Sequence, residues 1–105
     1  MMEIYLDNGA TTKPCKECVE KVVEMLTVKY GNPSSLHEKG FEAEQEIESA
    51  RAVIAQNLNA NASEVYFTSG GTESDNWALV GTAMANKRTG NHIITSAIEH
   101  PAVSA

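Results

Sequence analysis

Val65-Tyr66-Phe67-Thr68-Ser69-Gly70-Gly71-Thr72-Glu73-Ser74-Asp75-Asn76-Trp77 contains the change of hydrophobic period on which the fold turns. Its first four residues are β-branched or aromatic, the composition of a short buried strand. Ser69-Gly70-Gly71-Thr72 supplies a turn, and from Thr72 to about Lys87 the apolar residues Trp77, Val80 and Met84 fall on one helical face. Thr89-Gly90-Asn91 breaks that helix, and His92-Ile93-Ile94-Thr95 returns to strand composition. Strand, helix and strand with a helix of about this length predict a right-handed parallel crossover, hence an α/β fold. Beyond it, Ala97 to His100 forms a second strand-end loop, and Pro101 opens a further helix that runs to Ala105.

Upstream, Glu3 to Asp7 reads as a short extended segment closed by the turn dipeptide Asn8-Gly9. Thr11 and Thr12 are candidate caps for the next helix, with Pro14 in its first turn and Val19, Val22, Val23 and Leu26 on its apolar face. It stops by Tyr30, ahead of Gly31-Asn32-Pro33. Ser34 or Ser35 then caps a longer helix to about Leu58, whose apolar face is Phe41, Ile47, Ala50, Val53, Ile54 and Leu58. Gly40 weakens its first turns, and the glutamates along it read as solvated surface.

The chain has 105 residues, one domain's worth at most, with 42% hydrophobic and 21% charged residues, an ordinary globular mixture. Eight Lys and Arg against fourteen Asp and Glu give a net charge of −6, which argues against nucleic acid as a partner. No apolar run approaches the ~20 residues of a membrane span, and Met1-Met2-Glu3-Ile4 shows no signal-peptide pattern. The expected setting is cytoplasmic, without membrane or nucleic-acid partners. The chain stops after barely one turn of its last helix, so the expectation is the front part of something longer.

In open α/β sheets ligands bind outside the carboxyl ends of strands, where both loops fall. Paired glycines, helix-start N–H groups and the Thr72 hydroxyl suit an anion. The plainer alternative is a capping box closed by Asp75, and Glu73 counts against an anion unless its carboxylate points away. Neither a P-loop nor a dinucleotide fingerprint is present. His100 can stack on a ring, act as acid or base, or simply hydrogen-bond loop backbone. His37 and His92 acquire no role from pattern. Cys15 and Cys18 form one C-x-x-C, too few ligands for a zinc site. They lie at a helix start, where the dipole lowers a thiol pKa. The plain reading makes them surface or packing cysteines.

Four segments, taken together, resemble pyridoxal-phosphate-dependent cysteine desulfurases of the iron–sulfur and nitrogenase-maturation group, within the class V aminotransferase-like superfamily. They are Tyr5-Leu6-Asp7-Asn8-Gly9-Ala10-Thr11-Thr12, Tyr30-Gly31-Asn32-Pro33-Ser34-Ser35-Leu36-His37, Phe67 to Asn76, and His92-Ile93-Ile94-Thr95-Ser96 leading to Glu99-His100. Gly9 departs from the alanine or serine usual there. The resemblance implies the start of a fold-type I large domain, a three-layer structure with a mainly parallel sheet. Residues 1–12 would be an N-terminal arm and 13–105 the first, incomplete part of that domain.

The same resemblance implies that Gly71 and Thr72 bind the phosphate of pyridoxal 5'-phosphate. His100 would stack on the ring and take part in proton transfer. The segments Asn8 to Thr12 and Asn32 to His37 would lie near the active site. The implied reaction takes sulfur from L-cysteine, leaving alanine and an enzyme persulfide, in a homodimer that serves a sulfur acceptor or scaffold protein. Alternatives are a selenocysteine lyase or aminotransferase-like enzyme, or a non-catalytic truncated product. None of the six lysines lies in a motif matching the Schiff-base lysine, and neither cysteine matches the persulfide carrier. The chain alone is therefore expected to be inactive. In this superfamily the first two strands pair with later strands and not with each other, so isolated folding is expected to be poor.

Overall fold

The computed structural model describes residues 3–104; Met1, Met2 and Ala105, which the sequence reading assigned to the opening and to the last helix, lie outside them. Among the described residues the elements are α1 (Lys16–Thr27), α2 (Glu38–Leu58), a 3-10 turn at Ala62–Glu64, α3 (Gly71–Ala85) and α4 (Pro101–Ser104). They divide into two units, Met1–Glu64 and Val65–Ala105.

In the first unit the Asn8-Gly9 turn forms as expected. The Ala10 N–H donates to Asp7 O at 3.1 Å, and the Asn8 amide donates to Tyr5 O at 3.2 Å. The threonine caps do not form. Thr12 Oγ1 donates back to Asn8 O at 3.3 Å and so fastens the turn instead. Pro14 precedes the helix, and the N-cap of α1 is Cys15.

A second correction concerns the cap of α2. Neither Ser34 nor Ser35 fills it, because both lie in a turn closed by Asn32, ahead of the helix start at Glu38. The Asn32 side-chain oxygen accepts from the Ser34 N–H and its carbonyl accepts from the Ser35 N–H, each at 2.9 Å. His37 is the cap, its Nδ1 accepting from the Gly40 N–H at 3.3 Å.

Gly40, expected to weaken α2, is buried where a Cβ would overlap Ser35 O and meet Asn32 O at 2.7 Å. Gly31 is equally confined, since a Cβ there would overlap the Lys39 carbonyl. Replacing Gly40 by alanine should therefore push the 32–35 turn off the helix, at the ~1–3 kcal/mol typical of overpacking. Faster amide exchange at Ser35 and Phe41 in the variant is the expected readout; unchanged exchange would show that the turn yields without cost.

The apolar face expected along α2 is largely open, with Phe41 57% and Leu58 69% exposed. Small residues go inward instead: Ala43 and Ala55 are each 3% exposed. The helix ends at Leu58 as anticipated, with Asn59 in the left-handed region (φ 53°), a conformation that asparagine tolerates. The chain then turns back, and the Ala60 N–H donates to Ala55 O at 2.9 Å.

One glutamate of α2 is not solvated surface. Glu46 accepts Lys21 Nζ at 2.8 Å and also pairs with Lys29, while Glu24 accepts the same two lysines at 3.0 and 3.1 Å. This four-charge cluster joins α1 and the residues after it to α2. Hydrogen bonds from Lys21 and then Lys29 hold the Glu46 carboxyl down at about 2. A depressed carboxyl stabilises the folded form above its ordinary value of 4.5, and that contribution disappears as pH falls through about 2. The α1–α2 contact should thus loosen between those limits, and more readily in high salt. Carboxyl NMR titration of Glu46 tests this, and Glu46→Gln should reduce the pH response to the part carried by Glu24, which the same two lysines also hold down.

In the second unit, α4 packs on α3. Tyr66 meets Trp77 edge-on, with ring centroids 5.5 Å apart. The expected strands at 65–68 and 92–95 flank α3 in the sequence, but neither forms as a strand, and the described residues contain no sheet. Strand composition declares a preference; a ladder also needs a neighbour in register. Neither segment is a strand among the described residues, so the parallel crossover expected from sequence is not formed as a sheet.

Ala43 and Ala55 are the buried apolar side chains among the described residues. Leu79, Val80, Met84, Ile93, Ile94 and Ile98 are all exposed.

Candidate functional site

All three residues singled out from sequence, Gly71, Thr72 and His100, belong to the second unit. Gly70 is the N-cap of α3 and Gly71 its first residue. The Ser74 N–H donates to Gly70 O at 3.1 Å. The N–H groups of Gly71, Thr72 and Glu73 precede it, and helix geometry gives them no acceptor within the helix. A Cβ built on Gly70 or Gly71 would meet nothing within 4 Å, so the way to those donors is open. The positive end of the helix dipole adds to their pull on an anion.

The turn before them is fastened by side chains. Thr68 Oγ1 lies 2.7 Å from Ser74 Oγ and donates to Gly70 O at 3.1 Å. Glu73 accepts the Ser69 N–H at 2.6 Å and the Ser69 hydroxyl at 2.7 Å. The capping contact expected of Asp75 is thus made by Glu73, the residue three positions after the Gly70 N-cap. Its carboxyl is held below the usual range, first by the Ser69 backbone N–H and then by the Ser69 hydroxyl. Glu73 carries a full charge, and it is directed at Ser69.

His100 stands immediately before α4, and its Nδ1 accepts the Ala102 N–H at 3.1 Å. That bond requires the neutral imidazole to carry its proton on Nε2. Just upstream, the Ser96 hydroxyl donates to Glu99 at 2.8 Å, which closes the 96–99 loop.

Asn76 connects the two ends. Its side-chain amide donates to Thr72 O at 2.9 Å and to Ala102 O at 3.1 Å. The first turn of α3 is thereby bound to the first turn of α4, whose amide holds His100. Sequence reading quoted Asn76 within a motif and gave it no function; its position one helical turn after Thr72 was the available signal. An open groove of about 630 Å³ runs past Asn76, Leu79, Ile94, Glu99 and Val103. Gly71, Thr72 and His100 are not among its walls. No group of three or more His, Cys, Asp or Glu able to hold a metal occurs among the described residues.

In the first unit, Cys15 and Cys18 are exposed thiols. The lowered thiol pKa expected from the helix dipole is not found at Cys18. It is pushed up, first by a hydrogen bond with Cys15 and then by charge repulsion from it.

Residues 4–105 match the aminotransferase class-V family, and the chain belongs to that family. Among curated proteins it is 53% identical over 100 residues to the cysteine desulfurase IscS of Methanosarcina thermophila, covering 95% of this chain and 25% of that protein. It is 50% identical over 101 residues to the cysteine desulfurase IscS of Neisseria meningitidis, covering 95% of this chain and 25% of that protein. Among solved structures it resembles a NifS-like protein with a TM-score of 0.86 and 42% identity, over 98% of this chain and 28% of that one. The chain thus spans about a quarter of the length of the relatives it matches. No helix among the described residues is long and apolar enough to cross a membrane.

Proposed function

We propose that this chain is the N-terminal part of a pyridoxal-phosphate-dependent cysteine desulfurase, and that Gly71 and Thr72 hold the cofactor phosphate while His100 covers the ring. The observation that carries the reading is the Asn76 bridge, which ties an open, anion-ready helix start to the turn presenting an imidazole. The donor set suits a phosphate monoester: three backbone N–H groups lie at a helix N-terminus, and Thr72 adds a hydroxyl in the same turn. Glu73, the acidic residue of the first turn, is occupied by Ser69.

When bound, pyridoxal phosphate supplies an electron-accepting ring for chemistry at the amino acid's α-carbon. This chain's part is to fix that group by its anionic end and to cover one face. With Nδ1 committed to the Ala102 N–H, His100 can hold or pass a proton only at Nε2. The substrate of the whole protein would be L-cysteine, and its product alanine plus a protein-bound persulfide for iron–sulfur cluster assembly. A cytoplasmic homodimer that passes sulfur to an acceptor or scaffold protein completes the reading. So does the architecture, with residues 1–12 as an arm and 13–105 opening the three-layer domain.

A chimera tests this directly. Residues 3–104 replace the matching segment of the Methanosarcina thermophila relative, and the product is assayed for alanine and sulfide from L-cysteine. Turnover within about tenfold of the parent is expected. A chimera that binds the cofactor but prefers another amino acid would favour a different class V activity; one that folds without binding it would overturn the site.

A further inference from the structure

Of the eight asparagines in the chain, Asn8 alone is followed by glycine. Asp7 to Ala10 is a four-residue turn, closed by the 3.1 Å bond from the Ala10 N–H to Asp7 O, and the Thr11 N–H reaches the same oxygen at 3.4 Å. Asn8 and Gly9 are its two central residues, and a turn of this kind engages the amide of its last residue, not those of its centre. The Gly9 N–H accordingly donates to no acceptor among the described residues. Both central residues are exposed, and a Cβ built on Gly9 would meet nothing within 4 Å. The Asn8 carboxamide therefore stands next to a backbone nitrogen that is neither hydrogen-bonded nor shielded. The contact that restrains it is the 3.2 Å donation from Nδ2 to Tyr5 O, a single exposed bond.

Other asparagines lack these conditions. Asn32 precedes Pro33, which has no N–H. The Ala60 N–H, next to Asn59, is committed to Ala55 O. Asn76 lies inside α3, where the following amide belongs to the helix ladder.

We propose that Asn8 is a site of intramolecular deamidation, at which this turn is converted with time to an isoaspartyl linkage. The Gly9 nitrogen loses its proton to solvent base and attacks Asn8 Cγ. A C–N bond forms, the Cγ–Nδ2 bond breaks, and Nδ2 leaves as ammonia, which closes a five-membered succinimide. Water then opens either ring carbonyl, giving aspartate in ordinary linkage or a backbone routed through Cβ and Cγ. One water is taken up and one ammonia is released, with no change of oxidation state. Glycine favours the closure because no side chain crowds the nitrogen and its backbone rotates freely. Both products lose the donor to Tyr5 O and place a new carboxylate beside Asp7. The isoaspartyl product also lengthens the chain by one carbon between Asp7 O and the Ala10 N–H, and replaces the carbonyl to which Thr12 donates at 3.3 Å. Its carboxylate is the group that a carboxyl-methylating repair enzyme takes as substrate.

The test uses the chimera described above, kept folded in mildly alkaline buffer, with a parallel sample in urea. Peptide mapping by mass follows the conversion of amide to acid at each asparagine of residues 3–104, and enzymatic carboxyl methylation counts the isoaspartyl share. In the folded sample Asn8 should convert faster than every other asparagine, chiefly to isoaspartate. Its rate should lie within about tenfold of that in urea, because one exposed hydrogen bond protects by no more than this. Gly9→Ala should slow it roughly tenfold or more. Should exchange of residues 3–104 prevent folding, exchange of residues 3–12 alone carries the same turn into the parent. Greater protection in the folded protein, faster conversion at another asparagine, or a Gly9→Ala rate equal to the wild type's would each overturn the proposal. None of these outcomes depends on whether the chimera acts on cysteine.

Discussion

Heated alone, the 105-residue chain is expected to lose its helical signal over a broad interval, with no sharp cooperative transition. A domain of about 100 residues normally melts with an enthalpy of ~60–80 kcal/mol, reflecting a core that breaks all at once. Here the buried apolar side chains among the described residues are two alanines. Burying an alanine recovers far less than the ~1.5–3 kcal/mol that a leucine or phenylalanine provides. The larger side chains, among them Trp77, Ile94 and Ile98, remain in water. Differential scanning calorimetry is the decisive measurement. A single endotherm of ordinary domain size would mean that the exposed faces are covered, most simply by a second copy of the chain. For the same reason, pyridoxal phosphate added to the isolated chain should give no visible-range band beyond that of the free cofactor.

In the chimera, Thr72→Val should weaken cofactor binding by roughly 10- to 100-fold, with the protein still folded. Valine keeps the shape of threonine and removes one hydroxyl donor to an anion, a hydrogen bond of the kind worth about 1.5–3 kcal/mol. Thr72 Oγ1 makes none of the intrachain side-chain hydrogen bonds that fasten the turn; those belong to Thr68, Ser69, Glu73, Ser74 and Asn76. The loss should therefore fall on the ligand and not on the fold. Equilibrium dialysis of the cofactor against the chimera and its variant gives the ratio. Equal affinities would remove Thr72 from the phosphate site. His100→Ala should act differently, slowing turnover more than it weakens binding, because ring cover and a proton at Nε2 matter chiefly during the reaction.

Local patterns in the sequence were sufficient for the helices. The spacing of Trp77, Val80 and Met84 located α3, and Asn59 closed α2 where the apolar spacing ran out. Helix starts were read less well. Serine and threonine are good caps in general, but Asn32 draws Ser34 and Ser35 into a turn ahead of the helix, which leaves His37 at the capping position. Such competition is invisible to residue preference. The glycines at 31 and 40 misled in the same way, because their reason is a close approach between segments and not a local conformation.

The candidate site was legible at its two ends. Gly71 and Thr72 announced a helix start, and His100 stood before a helix-opening proline. What sequence did not disclose was the bond between them, since Asn76 and Ala102 are brought together only by the packing of α4 on α3. Sheet structure was the least legible part. Residues 65–68 and 92–95 have the right composition, but pairing depends on partners that no local window contains.

The amide of Asn76 also bears on how such proteins can diverge. Because that side chain fastens the start of its own helix to Ala102, 26 residues further along the sequence, a change at position 76 is felt at both helix starts. Exchange of Asn76 itself, even for the similar aspartate, would take away the shared donor and leave the packing of α4 on α3 to hold the two helix starts together.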